Sequence, residues 1–166
     1  MQKYLFVYLL FFLLACTTRI QSQKIVKDQT GMLMGHTSRT QLFFDYPYWK
    51  EAFENYQPDS TAREEIRHLA RPMEIKLYYG TWCGDSRRNV PRFLKIMDGL
   101  DAFKITMVAV DRDLDANNGE PGRWDIQRVP TFIFFEKGKE IGRIVENPKK
   151  TLEKDIIAII KEQAHE

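Results

Sequence analysis

Residues 81–91 read TWCGDSRRNVP, and this short stretch separates two different hydrophobic patterns. Before it, residues 75–79 are rich in strand-favouring side chains and are bounded by a proline and a glycine. After it, residues 84–99 carry apolar side chains at helical spacing along one face. The sequence therefore predicts a β-strand that leads directly into an α-helix, with Cys83 at the junction.

The chain beyond this junction continues with alternating strand and helix patterns. Residues 105–110 are almost continuously apolar, as in a strand buried on both faces, and a parallel crossover is the expected relation to the first strand. Residues 131–135 and 140–145 form a predicted hairpin around Lys-Gly at 137–138, and a helix is predicted from about 149 to 161. This order predicts an α/β fold with a mixed β-sheet flanked by helices.

Residues 46–69 form a predicted helical extension at the N-terminal side of this core. Trp49 and Phe53 lie at helical spacing, Pro58 interrupts the pattern, and a second apolar period follows. We expect two short helices and a domain that comprises residues 46–166. The extension either covers one face of the sheet or provides a surface for partner recognition.

The first 22 residues resemble a secretory signal. Lys3 precedes an apolar run at residues 4–15, after which the sequence becomes polar. A run of about a dozen apolar residues suits a signal peptide and is shorter than the roughly 20 residues of a membrane-spanning helix. We therefore expect the protein to be exported from the cytoplasm.

The residues Leu-Leu-Ala-Cys at 13–16 resemble the lipobox of bacterial lipoproteins, in which the signal is cut before a cysteine that is then acylated. Lipid attachment at Cys16, cleavage further on and an uncleaved anchor are the alternatives. We expect a protein of the bacterial periplasm or cell envelope, tethered to the membrane if Cys16 carries lipid. Residues 23–45 are predicted to be a linker or arm. Since Cys16 and Cys83 are the two cysteines, the processed protein would have one free thiol.

Composition argues against several other classes of function. The formal net charge is +2 and the basic residues are scattered among acidic ones, so we expect no nucleic-acid partner. The three histidines, His36, His68 and His165, lack metal-ligand spacing, so no metal site is expected. Haem-attachment, phosphate-loop and dinucleotide motifs are absent from the sequence, so no cofactor is expected.

The position of Cys83 at the start of a predicted helix bears on its reactivity. Free backbone N–H groups and the positive end of the helix dipole favour a thiolate there. Ser86, one turn along, could donate a hydrogen bond to the sulfur. Asp85 opposes the thiolate and Arg87 and Arg88 partly offset it, so the sequence leaves the net effect undetermined.

The motif Trp82-Cys83-Gly84, with Pro91 eight residues after the cysteine and Val-Pro-Thr-Phe at 129–132, resembles thioredoxin. The resemblance extends from about residue 75 to 160. In that family the proline that matches Pro130 is cis and faces the cysteine, and the backbone just before it pairs with an extended client peptide. The resemblance thus implies a thioredoxin-like fold. It also implies these client-binding residues: Trp82, Gly84, Asp85, Val129 and Pro130.

Two departures from the family pattern change the expected chemistry. Ser86 replaces the second, resolving cysteine, and Leu77 replaces the buried aspartate six residues before the reactive cysteine. The usual dithiol cycle therefore cannot run within one chain. One hypothesis is a thiol-disulfide oxidoreductase in cell redox homeostasis, with catalytic residues Cys83 and Ser86, acting on protein or small-molecule thiols and disulfides with an external thiol. The alternative is a non-catalytic peptide- or protein-binding module in which Cys83 is structural.

Overall fold

The computed structural model describes residues 26–27 and 30–162. The predicted signal segment, including Cys16, lies outside the described residues. The helices and strands follow in the order β1 (Val26–Lys27), β2 (Leu33–Thr37), α1 (Arg39–Asp45), α2 (Pro47–Asn55), α3 (Ser60–Leu69), β3 (Met73–Tyr79), α4 (Gly84–Met97), β4 (Phe103–Ala109), α5 (Glu120–Arg123), β5 (Thr131–Glu136), β6 (Lys139–Val145) and α6 (Leu152–Glu162). No helix within these described ranges has both the length and the apolar character needed to cross a bilayer.

The strands form one mixed sheet. In the part of the chain that the structure describes, the strand order is β1-β2-β4-β3-β5-β6. The β3–β4 pair is parallel, with Leu77 opposite Met107, and joined by α4 as the crossover. Strands β5 and β6 add an antiparallel hairpin to the other side of β3. This arrangement confirms the predicted mixed sheet flanked by helices.

The sheet separates two apolar cores, because successive side chains of a strand point to opposite faces. The larger core lies under the helices and includes Leu77, Tyr79 and Phe93, all fully buried. The rings of Phe93 and Phe132 pack with their centroids 4.4 Å apart. The smaller core lies under the loop that precedes β5 and includes Tyr78.

The segment predicted to be a linker, residues 23–45, contains three elements of the folded domain, β1, β2 and α1. Strand β2 pairs antiparallel with β4, with Gly35 opposite Ala109, and α1 follows it. Leu33 and Leu42 are both fully buried in the larger core. The linker prediction is therefore wrong for residues 33–45, because a pairing partner distant in the chain stabilises a strand that has no clear period of its own.

The helical extension forms the two predicted short helices. Pro47 opens α2, and the Asp59 side chain caps α3 by accepting a hydrogen bond from the Ala62 N–H at 2.9 Å. Helix α2 packs against α4, and α3 packs against α6. Trp49 and Ile66 are fully buried in these contacts, so the extension covers one face of the sheet.

The C-terminal elements also follow the prediction, with a later start for the last helix. Lys137 and Gly138 have positive φ values of 49° and 79°, as a tight hairpin turn requires. Helix α6 begins at Leu152 and not near residue 149. The Asp155 carboxylate accepts hydrogen bonds from the backbone N–H groups of Lys149 and Lys150, at 2.5 and 3.2 Å, which holds these residues outside the helix.

Candidate active site

Cys83 is the N-cap residue of α4, in the short connection after β3. Its N–H donates to the Gly80 carbonyl at 3.0 Å, and its own carbonyl accepts from the Arg87 N–H at 3.0 Å. These two bonds form the tight turn that places the side chain at the start of the helix. The thiol is free and half-buried, so a reactant from solvent can reach it.

The sulfur faces the residue before Pro130. The Cys83 thiol donates a hydrogen bond to the Val129 carbonyl, with a Sγ–O distance of 3.1 Å, and the Val129–Pro130 peptide bond is cis. Both Val129 and Pro130 are buried. The fold therefore brings together the cysteine and the two client-binding candidates that lie 46 residues and more away in the chain.

Ser86 lies beneath the cysteine and has a different hydrogen-bond partner from the one expected. It is fully buried, and its hydroxyl oxygen accepts a bond from the Gly80 N–H at 3.3 Å. Among the described contacts the sulfur is bonded to Val129 and not to Ser86. The expected Ser86–Cys83 bond is thus corrected: the serine points inward, where a buried backbone N–H requires an acceptor.

Trp82 is fixed beside the thiol by its own contacts. Its indole Nε1–H donates to the Val110 carbonyl at 3.0 Å, and the Arg112 guanidinium lies 5.2 Å from the ring centroid. A Cβ at Gly80 would lie 2.6 Å from the indole Cε2, so this position requires glycine. Sequence reasoning missed that role of Gly80, although its place between the strand and the cysteine motif was visible.

Charged side chains lie next to the residues that contact the thiol. Asp85 accepts a bond from Arg88 at 2.6 Å, and Arg88 also contacts Asn147. Arg128 forms an ion pair with Glu146 at 2.9 Å. Asp85 is therefore paired with Arg88, one of the two arginines that the sequence placed beside it.

The position of the family's buried aspartate is occupied by Leu77, which is fully buried in the larger core. An apolar side chain therefore packs in the core at the position where the family has a carboxylate. Among the described residues, no group of three or more His, Cys, Asp and Glu side chains is placed to hold a metal ion.

A buried carboxylate does occur on the other face of the sheet, and sequence reasoning missed it. Glu120 is 7% exposed; its Oε1 accepts from Lys76 at 2.7 Å and from the Tyr78 hydroxyl at 3.0 Å, and its Oε2 lies 3.0 Å from His36 Nε2. Burial alone would raise the pKa of Glu120, but the bonds from Lys76 and Tyr78 and the nearby positive charges lower it overall. The pKa of Tyr78 is raised by burial and by its bond to Glu120. This network anchors the loop that leads to Val129.

The helical extension contacts the end of β3 and the residue that precedes Trp82. The Tyr46 hydroxyl donates to Thr81 Oγ1 at 3.3 Å, one residue before the Trp-Cys pair. The Trp49 ring packs on Tyr79, with centroids 5.8 Å apart, and the Tyr79 hydroxyl is bonded to Thr37 at 2.8 Å. The end of β3 is therefore supported by residues that precede the predicted core.

A mixed sheet, a cysteine at the N-terminus of the crossover helix and a facing cis-proline define the class of thioredoxin-fold proteins. The family model described as Thioredoxin matches residues 56–161, and the chain belongs to the thioredoxin family.

Known relatives agree with this assignment. The chain is 31% identical to thioredoxin H9 of Arabidopsis thaliana over 83 residues, which cover 50% of this chain and 56% of that protein. It is 32% identical to the putative thioredoxin-5 of Dictyostelium discoideum over 97 residues, which cover 58% of this chain and 90% of that protein. The matched stretch thus spans little more than half of the plant relative.

Among solved structures, a protein of unknown function from Pseudomonas aeruginosa shares the fold, with a TM-score of 0.54 and 17% sequence identity. The likeness covers 77% of this chain and 88% of that one.

Proposed function

We propose that the protein is an exported thiol-disulfide oxidoreductase that acts through Cys83 alone. The observation that carries this proposal is the half-buried free thiol at the N-cap of α4, 3.1 Å from the Val129 carbonyl and beside Pro130. Membership of the thioredoxin family supports the same reaction class. The thiolate form of a cysteine is the nucleophile in such an exchange.

The proposed reaction has two exchange steps. The Cys83 thiolate attacks one sulfur of a client disulfide, so that a Cys83–client disulfide forms, the client disulfide breaks and the other client sulfur leaves as a thiolate. Ser86 cannot release this adduct, because a hydroxyl group does not replace a resolving thiol. An external thiolate then attacks the client sulfur of the mixed disulfide, which restores the Cys83 thiolate and forms a new disulfide between client and external thiol.

The client would lie across the groove at Val129 and Pro130. Strand-like backbone pairing next to the proline provides affinity with little side-chain specificity. Trp82, Gly84 and Asp85 would border the same groove. The bonds of Glu120 anchor the start of the segment that leads to Val129, which supports this placement of the client.

The proposed location is the bacterial periplasm or cell envelope, with a lipid on Cys16 as membrane tether. The apolar run at residues 4–15 and the Leu-Leu-Ala-Cys sequence support this part of the proposal. Intact-mass measurement of the protein purified from membranes tests it. A mass that matches cleavage before residue 16 plus acyl chains is expected, and an unmodified N-terminus after cleavage further on would contradict lipid attachment.

The exchange reaction is tested with reduced protein and bis(2-hydroxyethyl) disulfide, an uncharged reagent. We expect one mercaptoethanol adduct per chain by mass spectrometry, none in Cys83→Ser, and an adduct of normal yield in the control Ser86→Ala. A subsequent addition of free thiol should remove the adduct. Absence of any adduct on the folded protein, with peptide binding intact, would contradict the proposal and favour the binding-module alternative.

A second variant tests the role assigned to the missing cysteine. Ser86→Cys restores two thiols at the spacing of a dithiol site, so we expect it to form an internal disulfide and to accelerate insulin reduction by dithiothreitol. Ser60→Cys is a matched control, because it makes the same chemical change on exposed α3, remote from the site. Equal insulin reduction by the two variants would contradict this reasoning.

A further inference from the structure

A cavity of about 440 Å³ lies beside the candidate active site, where α4, the turn after α2 and the start of α6 meet. It has the size of a small-ligand pocket. The residues that decide its chemistry are Tyr56, Asn89, Arg92, Lys150, Thr151 and Lys154.

Three cations line this cavity. Arg92, Lys150 and Lys154 are exposed, and within residues 26–27 and 30–162 none of them is part of an ion pair. The Arg92 guanidinium lies over the Tyr56 ring, 5.4 Å from its centroid, which directs the charge toward the cavity wall. These side chains are therefore available to an anionic group from outside the chain.

The carboxylates at this place are already engaged with protein groups. Glu153 is 2% exposed and accepts a bond from the Tyr56 hydroxyl at 2.8 Å. Asp59 caps α3 through the Ala62 N–H, and Asp155 accepts from two backbone N–H groups before α6. These hydrogen bonds come from neutral groups and leave the carboxylate charges in place. The cavity lining has three cations against the two carboxylates of Asp59 and Glu153, so its formal net charge is +1.

A chain of hydrogen bonds connects the cavity to the residues that follow Cys83. Asn89 lines it and lies six residues beyond Cys83, which corresponds to about 9 Å along a helix. The Asn89 side-chain amide donates to Asn147 at 3.1 Å, and Asn147 contacts Arg88. Three residues of an extended peptide, at about 3.3 Å each, span a similar length, so about three residues from the client's own cysteine is the spacing to test for an acidic side chain.

We propose that this cavity binds an acidic side chain of the client, and so selects peptides with Asp or Glu about three residues from the reacting cysteine. The inference rests on the proposed exchange at Cys83. A carboxylate is complementary to Arg92, Lys150 and Lys154, and attachment to a peptide held at Cys83 makes its binding effectively intramolecular. Since the cations are exposed, salt should weaken the preference.

The test uses the mature full-length protein and two peptides, each with one cysteine activated as a 2-thiopyridyl disulfide. The peptides differ only in Glu or Gln three residues from the cysteine. We expect the Glu peptide to exchange about 5- to 20-fold faster at low salt, since each exposed ion pair contributes up to about fivefold, and less than twofold faster in 1 M salt.

Variants connect this preference to the cavity. The triple variant Arg92→Gln, Lys150→Gln, Lys154→Gln should reduce the Glu/Gln rate ratio to about one while its rate with bis(2-hydroxyethyl) disulfide stays unchanged. The control triple variant Lys104→Gln, Lys137→Gln, Lys139→Gln removes the same charge at exposed positions elsewhere and should keep the ratio. A ratio near one in the wild type, or a ratio that survives the cavity variant, overturns the inference.

A binding measurement separates this inference from the exchange reaction. Fluorescein-labelled versions of the two peptides, with serine in place of cysteine, are titrated against the wild type by anisotropy. Tighter binding of the Glu peptide that the cavity variant abolishes supports the inference even if the neutral disulfide does not react. Equal binding of both peptides overturns it, as does inorganic phosphate binding that depends on the three cations without any peptide preference.

Discussion

Replacing Glu120 with glutamine removes a negative charge from a buried place where three other groups converge. Lys76, Tyr78 and His36 all lie within 3.0 Å of the carboxylate oxygens. The amide of Glu120→Gln still offers one oxygen, so most of the geometry survives and the charge is what changes. The variant therefore measures the electrostatic part of the contact between the loop and the sheet.

The expected magnitude follows from burial. Removing one partner of a buried ion pair costs about 3–5 kcal/mol, and a hydrogen bond to a charged group contributes about 1.5–3 kcal/mol. The Lys76 side chain is 24% exposed and can partly rehydrate. We therefore expect Glu120→Gln to lower the free energy of unfolding by about 2–3 kcal/mol at pH 7.

The assay is urea unfolding followed by circular dichroism, with Glu74→Gln as the control. Glu74 lies on the same strand as Lys76, but its ion pair with Lys104 is 3.9 Å long and joins side chains that are 63% and 77% exposed. That control should change stability by less than about 0.5 kcal/mol. A Glu120→Gln variant as stable as Glu74→Gln at pH 7 would refute the reasoning.

The pH dependence provides a second check on Glu120. Its pKa in the folded protein lies below the usual value of 4.5, so the stabilisation is complete above pH 4.5 and is lost as pH falls through the folded pKa. The deficit of Glu120→Gln should therefore persist at pH 5 and shrink below about pH 4.5. A deficit that grows on acidification would contradict this sign.

Other predictions concern the core, a buried hydroxyl and the site. Phe93→Ala should cost about 3–5 kcal/mol in urea unfolding because the ring is fully buried, whereas Phe44→Ala, at an 80% exposed side chain, should cost less than about 0.5 kcal/mol; equal losses would contradict the packing described. Burial, and then the bond to a carboxylate, raise the pKa of Tyr56 from 10.0 to about 12. Tyr56→Phe should thus lose about 1–2 kcal/mol at neutral pH, and the deficit should shrink between pH 10 and 12; a pH-independent deficit would be inconsistent with it. Gly80→Ala should displace the Trp82 ring, lower stability by about 1–3 kcal/mol and change tryptophan fluorescence; an unchanged spectrum would count against the close approach.

The elements that could be predicted are those specified by local patterns. Strand β3, helix α4 and the hairpin at Lys137–Gly138 each have a hydrophobic period or a turn signal within a few residues. The contact between Cys83 and Val129 could be predicted through the resemblance, because the motif residues occur in the family's order. Each of these features is specified within a few residues, so it can be predicted without knowing which distant residues it contacts.

The missed elements depend on distant partners. Strand β2 has Gly35 in its middle and no clear alternation, and its register is set by β4. Glu120 begins the short helix α5, and only the fold shows that Lys76 and Tyr78 meet it. The partner of Ser86 was mispredicted because only the fold brings the Gly80 N–H, a buried donor, to the serine oxygen.

Strand β2 also has a consequence for the boundaries of the domain. The similarity to the family begins at residue 56, but in the part of the chain that the structure describes the first core residue is Leu33. A fragment that starts at residue 56 would leave the backbone of β4 without its antiparallel neighbour and would remove Leu42 and Trp49 from the core. Such an exposed edge is a template for pairing between molecules. The unit that folds is therefore longer than the unit that is related by sequence, and the additional residues cover an edge of β4 that would otherwise be open to another molecule.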